Sequence, residues 1–143
     1  MSIIEHTEAF IGKELRGIFD VTWVHEERNG TWLYAIAFAF DDTFLIFRAE
    51  STDDTVSAHE CKSLEQWITS QEDGDELRYS ENKYWSSLIG HPLVYVWECQ
   101  NTKGYIDAVD LAFRHLLFPS IKILCAGSQL YLLSIQALKS SAG

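Results

Sequence analysis

From Ile18 onward apolar residues recur every second position, the period of strands with one buried face. "GIFDVTWV" (17–24) predicts a first strand, "ERNG" (27–30) a hairpin turn through Asn29-Gly30, and "TWLYAIAFAF" (31–40) the returning strand. Asp41-Asp42 predict the next turn, "TFLIFRAE" (43–50) a third strand and "TVSAHE" (55–60) a weaker fourth. Four more strands are expected at "LVYVWEC" (93–99), "YIDAVDLAF" (105–113), "IKILCA" (121–126) and "LYLLSI" (130–135), with turns at "NTKG" and Gly127-Ser128.

Three stretches read as helical. Ser2 with Glu5 matches a capping box, and Ile4, Ile11 and Leu15 would share one face of an N-terminal helix. Ser63 caps "LEQWITS" (64–70), where Leu64, Trp67 and Ile68 fall on one side. Ser80 caps "SENKYWSSLIG" (80–90), with Tyr84, Trp85, Leu88 and Ile89 as its apolar face and Gly90 and Pro92 as its stop. Residues 71–79 show no apolar period and read as a loop.

The two halves echo each other: "AIAFAF" (35–40) aligns with "AVDLAF" (108–113), and "FLIFRAES" (44–51) with "IKILCAGS" (121–128). In each, small residues alternate with large ones, so one face admits a close neighbour and the other fills a core. The reading is an α+β fold of seven or eight mostly antiparallel strands in two meander-like halves, with two or three short helices. One domain (1–143) is expected, with half-repeats at 16–60 and 92–136 and a helical, acidic connector at 61–91. An internal duplication fits this pattern; so does simple compositional similarity.

Charge changes the picture more than composition does. The net charge is −10, with 21 acids and 11 Lys or Arg among 143 residues. Residues 1–40 hold six acids and three bases, 41–81 twelve and three, and 82–143 three and five, so nearly all the excess sits in the middle. That field repels phosphate backbones and anionic lipid and attracts basic surfaces. Neither nucleic acid nor membrane is an expected partner. Cys61, Cys99 and Cys125 are odd in number and widely spaced, which favours a reducing cytoplasm. "MSIIEHTEAF" has no basic n-region, and the apolar stretch 116–135 is interrupted by Pro119, Lys122, Ser128 and Gln129, so neither reads as a signal or a span.

Catalytic signatures are sparse. There is no phosphate loop, no dinucleotide fingerprint, no GxSxG and no HExxH. "HEE" (25–27) and "HEC" (59–61) set histidine beside carboxylate, but neighbours on a strand point to opposite faces. "EDGDELRYSENK" (72–83) misplaces the glycine of a calcium loop. His59 and Cys61 could share a face, without a visible third member. Asp110 stands in mid-strand among small residues, where burial would raise its pKa and suit it to acid–base work in a pocket between the two half-sheets. No metal or cofactor is expected, and no enzyme activity is read from the motifs.

What remains is "QEDGDE" (71–76) and the acids around it. Asp41, Asp42, Asp53, Asp54, Glu72, Asp73, Asp75 and Glu76, with Trp67 among them, form a candidate surface for a basic protein. In overall character, small, acidic and rigid, the chain is similar to bacterial toxin-immunity proteins. That resemblance implies a basic partner such as a nuclease toxin, whose phosphate-binding cleft the carboxylates would occupy. Two other readings stand beside it: a small-molecule binder or enzyme using the Asp110 pocket, and a structural or assembly subunit whose acids serve solubility. Edge strands could also pair two copies into a homodimer.

Overall fold

The computed structural model describes residues 2–24, 32–113 and 120–135. Among the described residues, nine strands make two antiparallel sheets. The first holds β1 (Gly17–Trp23), β2 (Trp32–Phe40), β3 (Thr43–Glu50), β4 (Thr55–Cys61) and β5 (Leu77–Glu81), in the order β4-β3-β2-β1-β5. The second holds β6 (Leu93–Gln100), β7 (Ile106–Phe113), β8 (Ile121–Ala126) and β9 (Gln129–Ser134), in sequential order. The turn expected at 27–30 lies outside the described residues. Each half contains a four-stranded meander, and β2 and β7, β3 and β8 occupy matching places in them.

The period of two decides how the sheets meet. Ile36, Phe38 and Phe40 of β2 and Leu45 and Phe47 of β3 face Val109, Leu111 and Phe113 of β7 and Ile121 and Ile123 of β8 in one buried cluster. Phe38 is the hinge of this cluster, with its ring 5.8 Å from that of Phe113 and 5.9 Å from that of Phe47. Side chains fill the middle of the space between the sheets, and a cleft of about 660 Å³ opens at the β4 side, lined by Ile3, His6, Val56, Ala58, Glu98 and Ile106 among others.

A short helix, α1 (Ile3–Glu8), lies beside the sandwich. The Ser2 hydroxyl accepts the Glu5 N–H at 3.1 Å, as the capping pattern predicts. The helix ends sooner than expected, with Ile3 and Thr7 buried and Ile11 outside it and exposed. Backbone bonds from Gly12 and Leu15 to Leu93 and His91 (2.8 and 2.9 Å) draw the following segment onto β6 instead. Leu15 is fully buried there.

The small face of the first sheet is covered by α2 (Leu64–Ser70), which begins at Ser63, whose hydroxyl accepts the Gln66 N–H. Leu64 and Ile68 pack with Ala35, Ala37, Ile46, Val21 and Leu77 in a second cluster. Alanine at 35 and 37 is what lets the helix sit close to the sheet.

Two expectations need correction. The stretch 71–79 is no plain loop: a 3₁₀ turn at Gly74–Glu76 leads straight into β5. The helix expected at 80–90 does not form. Ser80 and Glu81 belong to β5, paired with Asp20 and Phe19 of β1, and only a 3₁₀ turn, Ser86–Leu88, follows. Asn82 takes the Tyr84 N–H on its side chain (3.0 Å) and gives its amide to Asp20 (3.0 Å), so a local turn and a long-range pairing displace the helix. Trp85 and Leu88 are buried as expected, whereas Tyr84 and Ile89 are exposed. The described residues therefore hold nine strands, and the missed one is β5. No described helix is long and apolar enough to cross a membrane.

Gly74 explains why a glycine interrupts the acids of 71–76. A Cβ there would stand 2.3 Å from the Ile68 carbonyl oxygen and 3.1 Å from that of Thr69, at the end of α2. The turn can fold back under the helix only without a side chain. Gly74→Ala should therefore lower stability by about 1–3 kcal/mol, read as an earlier urea midpoint. An unchanged midpoint would mean that the turn does not press on α2.

Candidate functional site

Antiparallel pairing gathers several segments at one end of the first sheet. The ends of β1 and β3, the starts of β2, β4 and β5, and the acidic turn after α2 all lie there. Between them opens a cleft of about 310 Å³. Trp23 and Tyr34 form one wall, stacked at 6.1 Å and 22°. Arg48 and Glu50 form the floor, and Glu72 and Asp73 form part of the rim. A smaller recess of about 90 Å³ adjoins it, sharing Trp23, Tyr34, Ala49 and Ser51 and closed by Ser128 of the β8–β9 turn.

The floor is a closed hydrogen-bond network. Arg48 Nε donates to Glu50 Oε1 at 2.9 Å and its Nη1 to Gln71 Oε1 at 2.7 Å; the Tyr34 hydroxyl donates to the same Gln71 oxygen at 2.9 Å. Arg48 Nη2 also meets Glu50 Oε1. Ser57 Oγ lies 2.5 Å from Glu50 Oε1 and 2.7 Å from His59 Nε2. A hydroxyl has one proton, and an ionised carboxylate at that distance takes it, so His59 is the donor to Ser57. The geometry thus resembles a serine–histidine pair with the proton running the wrong way for a nucleophile. Arg48 and Glu50 satisfy each other, which is what a half-buried charge pair requires.

Burial acts on this network. The Trp67 ring lies 5.8 Å from that of His59 and 6.4 Å from that of Tyr34. Burial, helped by the Arg48 cation, pushes the His59 pKa down to about 4. Burial pushes the Tyr34 hydroxyl up, with Arg48 opposing. Burial raises the Cys125 thiol to about 11, with Asp54 adding to it, so that thiol is inert near neutrality.

The sequence-derived acids fall into two groups. Glu72, Asp73, Asp75 and Glu76 are exposed on the turn at the cleft, and Asp53 and Asp54 on the β3–β4 turn at the same end. Glu72 and Asp73 have no hydrogen-bonded side-chain partner among the described residues. Asp53 accepts the Thr55 hydroxyl at 2.6 Å. Asp54, at φ 54°, accepts the Ser128 N–H at 2.8 Å and so ties the two sheets' turns together. Asp41 and Asp42 sit on the β2–β3 turn at the opposite end of the sheet, where Asp41 lies 3.7 Å from Arg16. Trp67 is half-buried under α2 and roofs the network.

Asp110 stands elsewhere. It points away from the core residues Val109 and Leu111, onto the outer face of the second sheet, and pairs with Lys122 Nζ at 2.9 Å. The Cys99 thiol donates to it at 3.5 Å. It lines no space between the sheets, contrary to the sequence expectation, because the strand period turns Val109 and Leu111 inward and Asp110 outward.

Sequence reasoning overlooked Arg48, Glu50, Ser57 and Gln71, and weighed His59 only beside Cys61. A signal was there: Phe44 and Ile46 set an apolar face on β3 that Arg48 and Glu50 continue as charge.

Residues 1–139 match a family model described as a family of unknown function (DUF6334). The chain belongs to this family. No curated protein and no solved structure matches the DUF6334 chain.

His59 gives a pH test of the network. Its pKa is about 4 when folded and near 6.5 when unfolded, so between those values the unfolded chain binds more protons. His59 therefore lowers stability progressively as pH falls from 6.5 toward 4. Asp20, whose pKa is raised by burial, acts in the opposite sense just above its unfolded value. The Tm of the native chain minus that of His59→Asn should narrow or change sign on going from pH 7 to pH 4.5. A constant difference would place His59 in solvent.

Proposed function

We propose that this protein is a binding module of the immunity type, docking a basic protein through the cleft at the end of its first sheet. One observation carries the reading: carboxylates of Glu72 and Asp73, with no side-chain partner among the described residues, rim a recess walled by the Trp23–Tyr34 stack. A lysine or arginine side chain is what such a recess fits. Its cation meets the rim carboxylates, and its stem or guanidinium plane lies on the rings. Tryptophan and tyrosine at the centre of an interface supply most of the binding energy, and the ring of acids speeds encounter.

The floor favours recognition over chemistry. Arg48 and Glu50 neutralise each other, so the net charge felt by an incoming side chain comes from the rim. A basic toxin such as a nuclease would present such side chains where it holds phosphate. The two meanders read as copies of one duplicated unit, of which only the first acquired α2, the acidic turn and the cleft. The chain has the character of a protein of the cytoplasm, where its three free cysteines stay reduced.

The test compares three immobilised proteins in a lysate of the source cells: native, Glu72→Lys/Asp73→Lys, and Asp41→Lys/Asp42→Lys. The native chain should hold one basic protein in stoichiometric amount, released by salt. The cleft variant should lose it, by about 30-fold or more in affinity, while the variant at the far end keeps it. Equal capture by all three would remove the cleft as the docking site.

A further inference from the structure

The outer faces of the two sheets are treated differently. That of the first is covered by α2; no described element covers that of the second. Across it the register sets Trp97, Asp110, Lys122 and Leu133 in one row over all four strands. Tyr95 stands beside Trp97 on β6 with ring centroids 5.7 Å apart, and Tyr131 stands on β9 next to the row. Tyr95, Trp97, Tyr131 and Leu133 are 48, 36, 44 and 43% exposed. Four large apolar side chains on one sheet face is more than solubility accounts for.

We propose that this face is where two copies of the chain meet, face to face, as a two-fold dimer. The proposal is independent of the acidic cleft. Two features of the face select a second copy. First, its ion pair is closed within each copy: Lys122 Nζ lies 2.9 Å from a mostly covered Asp110, so an inverted copy meets no uncompensated charge. Second, it is the neutral side of an acidic molecule. Residues 1–81 hold 18 acids and six bases, and 82–143 three acids and five bases, so joining the second sheets keeps the acidic halves apart.

The contact is by the sheet face, whereas edge pairing would use the outer edge of β6 beyond Leu93 or that of β9. Strands of six to eight residues, four abreast, give a flat footprint of roughly 400 Å². That is small beside permanent interfaces, so the dimer is a weak one that forms and dissociates with concentration. It leaves both acidic clefts pointing outward.

The experiment is sedimentation equilibrium of the full chain up to about 0.5 mM, with circular dichroism to confirm folding of each variant. The native chain should pass with concentration from the 16.4 kDa of one chain to twice that. Leu133→Glu, at the exposed edge of the face, and Trp97→Glu should each weaken the dimer by about 30-fold or more. If the native chain stays at monomer mass, the face belongs to some other occupant and the proposal fails. It fails equally if the chain dimerises and both folded variants dimerise as well as the native protein.

Discussion

The molecule depends on the two-residue period of its strands. Because Ile36, Phe38 and Phe40 fall on one side of β2 and Ala35 and Ala37 on the other, the first sheet has a bulky face and a low one. β7 repeats the division with Val109, Leu111 and Phe113 against Ala108 and Ala112. The two bulky faces can be buried only against each other, and Phe38 against Phe113 is where they lock. Everything else is settled by what happens to the two low faces. One receives α2, and with it the polar network and the cleft; the other keeps its aromatic side chains in solvent.

Strands that advertise this period were legible in the sequence, with bounds within a residue or so for β2, β3, β4 and β8. So were the two serine caps, because their chemistry is local. β5 was not. Leu77–Glu81 is an edge strand with one buried residue, Leu77, so it carries no alternation to read. Its existence follows from pairing with β1, more than fifty residues earlier in the chain. The same limit hid the site. Acidity along 71–76 was plain, yet its separation from Asp41 and Asp42 is a matter of hairpin direction. Gathering Tyr34, Arg48, Ser57, His59 and Gln71 takes three strands and a helix end. Asp110 was placed on the correct kind of strand and assigned to the wrong side of it. The reason is that a small-residue face says only that something can approach, and not whether the approach comes from within the sandwich or from outside.

The charge follows the same partition. Acids concentrate on the sheet that has already used its low face for α2, and the half with the open face is nearly neutral. An acidic end attracts partners at long range, and a neutral aromatic face holds them at short range. On the two proposals made above, the contacts fall on opposite sheets and would not compete for the same ground.

The path from β4 to β5 has a further consequence. These strands are neighbours in sequence but sit at opposite edges of a five-stranded sheet. The chain between them must therefore cross about four strand spacings, roughly 19 Å, of which the seven residues of α2 supply about 10 Å. The acidic stretch covers the rest. It is a span of fixed length, anchored at Gly74 and at the first pair of β5, whatever its side chains carry. Across descendants of this architecture, Glu72, Asp73, Asp75 and Glu76 should exchange one acid for the other while the stretch 71–76 resists insertion and deletion, the reverse of what surface loops ordinarily permit.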